Sequence, residues 1–245
     1  MGAAWLADLW ESVSVQLRTG LVASVRTVAT SLALILLLAR PSKAGPVVPV
    51  EPTFASTVSP LDSALRSRMT GVSWRPGCPV GLHDLRLLQV TYWGFDGQAH
   101  TGPLVVHRRH TAALQRVFRK LFYARFPIEK VRLIDDYNAS DDAAVFDNNT
   151  SAFNCRKVEV TNSKNWSQHS YGGAIDINPL QNPYVYRNGT ALDPSAQPYV
   201  DRNRADPGMI HAGDVVVRAF ATEGWGWGGN FRGAKDWQHF SSNAR

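Results

Sequence analysis

Between residues 85 and 107 the apolar side chains fall into two strand-length runs. Leu85 to Phe95 is rich in Leu, Val, Tyr and Trp, Asp96-Gly97 supplies turn chemistry, and Gly102 to His107 resumes the apolar pattern, so the stretch predicts a β-hairpin. The period then changes. Leu114, Val117, Phe118, Leu121 and Phe122 recur at helical spacing with Arg116, Arg119 and Lys120 between them, which predicts an amphipathic helix over 111–125 that Pro127 stops. A second helix is expected over 214–223, with Asp214 as N-cap and Gly224 as its stop, and a short one over 61–69, started by Asp62 or Ser59 and ended before Gly71. Val131 to Ile134 reads as a buried strand and Cys155 to Val160 as another, with the polar run 141–154 looping over the surface between them. Pro179 to Gly208, with five prolines, reads as an irregular functional rim, and Gly224 to Phe240 as two short strands around a glycine-containing turn. The expected class is α+β, a small antiparallel sheet flanked by two main helices.

The first 60 residues carry a different pattern. Thr27 to Ala39 is a 13-residue apolar run behind Arg18 and Arg26, followed by Ser42-Lys43-Ala44. It is shorter than the ~20 residues of a spanning helix, and small residues at 42 and 44 fit signal-peptide cleavage after Ala44. The alternative is an uncleaved anchor over 21–39 with Arg26 snorkelling. Residues 1–44 are therefore expected to be a signal peptide or membrane anchor, 45–60 a proline-rich linker and 61–245 the functional domain. Either form of the leader predicts a secreted or cell-envelope protein. In such an oxidising compartment Cys78 and Cys155 are expected to pair, with Cα atoms ~4.4 to 6.8 Å apart, the alternative being two buried thiols.

The formal charge is +6, of which +2 lies in the first 44 residues. A mild surplus favours anionic polymers by long-range attraction, but no Lys/Arg run is dense enough for a nucleic-acid footprint, and no nucleic-acid partner is expected. A monomer is expected.

The chemistry concentrates in two segments. SQHSYGGAIDINP, from Ser167 to Pro179, offers His169 and, seven residues on, Asp176; DWQHF, from Asp236 to Phe240, offers His239 and the carboxylate of Asp236. Two imidazoles and one carboxylate are the donor set of an open catalytic zinc site, and a further carboxylate is left to act on water. Gly172 and Gly173 let the chain bend after His169. The alternating run Ala174 to Ile177 would send Asp176 to one face and Ile175 and Ile177 to the core. No H-E-x-x-H, G-x-S-x-G or S-x-x-K motif occurs, which sets aside the zincin and common serine mechanisms.

The pattern at Ser167, His169, Gly172, Ala174, Asp176 and Pro179, followed by G-W-x-W-G-G and D-x-x-H-F, resembles the zinc D-alanyl-D-alanine carboxypeptidase family, which also contains L-alanyl-D-glutamate endopeptidases and shares its fold with hedgehog signalling domains. The resemblance implies Zn2+ held by His169, Asp176 and His239, Asp236 as general base, Arg156 as the group that meets the scissile carbonyl, and the peptide stem of peptidoglycan as substrate. Two positions depart from the pattern of many relatives: Phe231 stands where they carry Trp, and Asp rather than Glu stands at 236, closer to the endopeptidase branch. A non-catalytic, metal-containing wall-binding module is the alternative. Ser167, Tyr171, Trp225 and Trp227 are candidates for supporting or groove positions. The remaining histidines, His83, His100, His107, His110 and His211, read as ordinary, with His100 the one to watch as a groove residue.

Overall fold

A computed structural model describes residues 51–158 and 164–243. The leader, the apolar run at 27–39 and the start of the linker lie outside the described residues, as do 159–163. Strand β1 (Ser56–Pro60) leads into helix α1 (Ser63–Met69), capped by Asp62, whose carboxylate accepts the Leu65 N–H at 2.8 Å. The predicted hairpin follows as β2 (Leu85–Trp93) and β3 (Ala99–His107), antiparallel through nine registered pairs. Its turn is closed by Gly97 at φ +71° and by the Asp96 carboxylate, which accepts the Gln98 N–H at 3.0 Å.

Strand alternation divides this sheet between two cores. Leu88, Val90, Tyr92, Leu104 and Val106 join the larger, while Leu85 and Val105 on the opposite face join the smaller, with Leu61, Met69, Phe153 and Cys155. Helix α2 (Thr111–Tyr123) lays Leu114, Val117, Phe118, Leu121 and Phe122 into the larger core, the five positions its period predicted. Each such burial is worth about 1.5–3 kcal/mol before the entropy of ordering the chain.

The remaining elements are short: β4 (Lys130–Val131), α3 (Asp141–Phe146), β5 (Asn149–Thr150), β6 (Ala174–Asp176), β7 (Tyr184–Val185), α4 (Val215–Thr222), β8 (Gly226–Trp227), β9 (Lys235–Asp236) and β10 (His239–Ser241). The expected single sheet is four: β1-β2-β3 and β6-β10-β8, both antiparallel, a parallel pair β4-β5 and an antiparallel pair β7-β9. The class is mixed helix and sheet, with small antiparallel sheets. Asp214 caps α4 by accepting the Val217 N–H at 2.9 Å, and Gly224 at φ +78° follows it. Among the described residues no helix is long and apolar enough to cross a membrane.

Several expected boundaries move. Ser56–Pro60, read as linker, pairs with β2; its side chains are mostly exposed, so backbone hydrogen bonding, which leaves no apolar period, holds it in place. The expected surface loop 141–154 contains α3 and β5. Ser140 caps that helix by accepting the Ala143 N–H, and Asp141 and Asp142 occupy its first turn, a start signal that the polar composition masked. The strand expected from Val131 ends there because residues 134–137 turn into a 3-10 helix. Cys155 opens no strand in the described part; Lys157 makes an isolated bridge to Trp166. Cys78 and Cys155 form a disulfide with Cα atoms 6.0 Å apart, inside the expected range.

Candidate metal centre

Phe240 fixes the position of its neighbour. Its ring is fully buried, stacked on Phe220 of α4 at 4.0 Å between centroids, and Trp227 lies on its other side at 6.5 Å. Because strand side chains alternate, anchoring Phe240 in the core sends His239 to the opposite face. Register carries the same logic across the ladder. Phe240 pairs with Ile175, which is fully buried, and His239 pairs with Asp176. The backbone of Asp176 is held on its other side by two hydrogen bonds with Ser151, at 3.0 and 3.1 Å.

His169 arrives from a 3-10 turn, Gln168–Tyr171, whose cap is Ser167; the Ser167 hydroxyl accepts the His169 N–H at 3.3 Å. Gly172 ends the turn at φ +61°, and a Cβ there would lie 2.5 Å from the His107 backbone nitrogen, so the close approach requires glycine. His169 Nδ1 donates to the Ala152 carbonyl, which leaves the Nε2 lone pair aimed into the site.

Three donor side chains converge. His169 Nε2 lies 3.3 Å from His239 Nδ1 and 3.1 Å from Asp176 Oδ2, and His239 Nδ1 lies 3.0 Å from Asp176 Oδ1. All three side chains are buried. Ligands about 2.0–2.1 Å from a tetrahedral ion sit roughly 3.3–3.4 Å from one another. The observed spacings, which run to one Asp176 oxygen from His169 and to the other from His239, are of that order, and one donor atom from each residue lies within 4.8 Å of the other two, so the three side chains could hold a small divalent cation. Burial alone would raise the Asp176 carboxyl, but the charge and hydrogen bond of His169, then of His239, more than offset it and hold the group well below the usual carboxylate range.

Asp236 is the contrasting carboxylate. Burial pushes it up to about 7; Asp176 and Asp141 add to the rise, and His239 and His169 oppose it. Its Oδ1 is buried with no hydrogen-bond partner among the described residues. The loop before it is tightly built. A Cβ on Gly228 would lie 2.3 Å from the Asp236 carbonyl oxygen, and the Lys235 ammonium donates to the carbonyls of Gly229 and Phe231 at 3.1 and 2.6 Å. The Trp227 indole N–H donates to the Trp237 carbonyl at 2.8 Å, bracing the segment between Asp236 and His239.

The donors open into a groove of about 1,070 Å³ that Arg156, Asp236, Tyr171 and Ser167 also line. Arg156 is held by the Asp141 carboxylate at 2.7 Å, and its backbone N–H is bonded to the Ser170 hydroxyl. Trp225 and Trp227 do not line this groove; they belong to the larger core, Trp227 supporting the loop behind the site and Trp225 packing on Phe220 and His110. His100 lies outside it too, bonded to Asp96 at the hairpin turn and stacked on Tyr92. The other four histidines of the described residues also lie elsewhere than the groove lining.

Sequence reading missed Asp141, which the Ser140-Asp-Asp start signal would have placed at a helix N-terminus. It also missed the groove aromatics Trp166, Tyr184 and Tyr186, which have no motif of their own.

No curated protein and no solved structure matches the chain. The sequence model of the D-alanyl-D-alanine carboxypeptidase family matches residues 161–242. That third of the chain is similar to the D-alanyl-D-alanine carboxypeptidase family, and it supplies His169, Asp176, His239 and Asp236, the residues that carried the resemblance.

Proposed function

We propose that this protein is an exported, monomeric zinc peptidase that hydrolyses amide bonds in the peptide stem of peptidoglycan, on the fold that zinc D,D-peptidases share with hedgehog signalling domains. The observation that carries the reading is the pairing of a cluster of two imidazoles and a carboxylate with a second, half-buried carboxylate that takes no part in it. The family match over the same residues favours a peptidase. Two nitrogens and one carboxylate oxygen are a zinc donor set, and three protein ligands leave a position for water.

A zinc ion bound there supplies Lewis acidity, polarising a carbonyl and making water a nucleophile near neutral pH. His169 and His239 would each offer it one ring nitrogen, and Asp176 a carboxylate oxygen. Asp236, when ionised, takes a proton from the attacking water as its oxygen bonds to the carbonyl carbon, then gives that proton to the amide nitrogen as the C–N bond breaks. Water and amide thereby become a carboxylic acid and an amine. Arg156, oriented by Asp141, stabilises the charge that grows on the carbonyl oxygen; a donor in that role is worth about 3–4 kcal/mol.

The test is hydrolysis of a purified stem pentapeptide by the full chain, followed by mass spectrometry with chelator, without chelator, and with zinc restored. Cleavage that chelation stops and zinc restores is expected. Intact peptide under all three conditions would leave the wall-binding module as the better account.

A further inference from the structure

Helices α2 and α4 pack against one another, both bury apolar side chains in the larger core, and their outward faces bound a second groove of about 570 Å³. Its character differs from that of the groove over Asp236. Val215 and Ala219 give it an apolar floor, Arg119, Lys120 and Arg218 stand round it, and no acidic residue lines it. Among the described residues none of these three cations is paired with a carboxylate. Glu223, the acid nearest Lys120 on this face, is taken by Arg116 through hydrogen bonds of 3.0 and 2.7 Å. Tyr123 also lines the groove and, at 65%, is the most exposed large apolar side chain among the described residues.

An apolar floor ringed by long cationic side chains, with an exposed phenol beside it, suits the boundary of an anionic bilayer. The stems of Arg and Lys lie along hydrocarbon while their heads meet lipid phosphates, and a Tyr ring sits at headgroup depth with its hydroxyl in water. The chain enters the described domain on this same side. Phe54 packs on Phe122 of α2 with centroids 5.9 Å apart, and Glu51 pairs with Arg125 at 2.6 Å. Arg119 joins the two features, since it lines the groove and lies 6.0 Å from the Phe54 ring. In the sequence the apolar run Thr27 to Ala39 ends only about a dozen residues before Glu51. The reaction groove lies on the other side of β10. Phe220 of α4 stacks on Phe240, and His239 points the opposite way, so a bilayer met by α2 and α4 leaves Asp236 and His239 turned from the lipid.

We propose that the face formed by α2 and α4 docks on an anionic phospholipid surface, with Arg119, Lys120 and Arg218 meeting lipid phosphates and Tyr123 entering the headgroup layer. The docking is independent of the hydrolytic reading, because no residue of the metal centre takes part in it. A basic residue at such a surface strengthens binding about fivefold, so the three together contribute on the order of 100-fold, and salt screens the effect.

The experiment is co-sedimentation of the full chain with vesicles of phosphatidylcholine and with vesicles of equal parts phosphatidylcholine and phosphatidylglycerol. The apolar run is present in every sample and meets the same hydrocarbon in both, so the ratio of the two partition coefficients isolates the effect of charge. The wild type is expected to prefer the anionic vesicles on the order of 100-fold at low salt. Arg119→Gln, Lys120→Gln and Arg218→Gln together are expected to remove most of that preference. Arg68→Gln, Arg75→Gln and Arg132→Gln, an equal change of net charge outside the groove lining, are expected to leave it largely intact. All six side chains are exposed, so the fold tolerates their loss. Tyr123→Ala is expected to weaken binding to the anionic vesicles several-fold. A wild type without anionic preference, equal loss from the two triple variants, or binding that Tyr123→Ala leaves unchanged would overturn the proposal. So would poly(glycerol phosphate) binding that the groove variant abolishes while both kinds of vesicle bind alike, because the face would then be a site for an anionic polymer.

Discussion

β2 and β3 run nine residues each and bury apolar side chains on both faces, whereas β6 and β10 run three residues each and give one face to Asp176 and His239. The first ladder is closed by complementary hydrocarbon, and nothing there waits for a ligand. The second brings an imidazole and a carboxylate to meet His169 of the preceding turn in a buried place, with Asp236 beside them, and burying such groups is unfavourable unless each is paired. It is held in register from behind, by Phe240 between Phe220 and Trp227 and by Ser151 alongside Asp176. The contrast separates two tasks: one region stabilises the fold, and the other gives up part of that stability to gather three side chains that could hold a metal ion.

The largest effect is expected on the face without hydrocarbon. His239→Ala should abolish cation binding and hydrolysis together, down to the uncatalysed background, while far-ultraviolet circular dichroism stays native because Phe240 still anchors β10. Asp236→Asn should separate the two properties. Hydrolysis should fall on the order of 10³-fold, about 4 kcal/mol of transition-state stabilisation, with one zinc per chain retained by elemental analysis. If zinc is lost as well, Asp236 is part of the cradle.

Opening the Cys78–Cys155 bridge tests the link between the halves, because it closes 77 residues of chain and lies next to Arg156. Replacing both cysteines by serine should lower unfolding free energy by about 3–4 kcal/mol in denaturant titration. Asp141→Asn is milder. Arg156 loses the charge that orients it, and kcat/KM should fall about tenfold with unchanged zinc affinity.

The smallest effect is in pH. Asp236 sits above its ordinary 3.8, up to about 7, so across that window the metal-free native state holds a proton that the unfolded chain releases. The stability of the metal-free protein should therefore fall as pH rises from about 4 to 7. Asp236→Asn should remove that slope from a series of melting temperatures. A slope unchanged in the variant would assign it to other groups.

How far the sequence could be read follows the same division. Leu114 through Phe122 and the hairpin were legible because packing against one core imposes a period. The meeting of His169, Asp176 and His239 was legible because imidazoles and a carboxylate set among glycine-permitted turns form a pattern that few other structures use. β1 was not, since an edge strand with exposed side chains is held by backbone bonds alone. Nor was α3, whose cap lay inside a polar run. Tyr184 was hidden for a third reason: its place beside Asp236 comes from strand pairing between segments far apart in the chain.

The most direct measurement is calorimetric titration of the chelator-treated full chain with zinc, beside its Asp176→Ala variant. One equivalent bound by the wild type, with affinity at least 100-fold weaker in the variant, is the expected result. No stoichiometric binding by the wild type, or equal binding by both, would contradict the convergence of His169, Asp176 and His239 on a single cation.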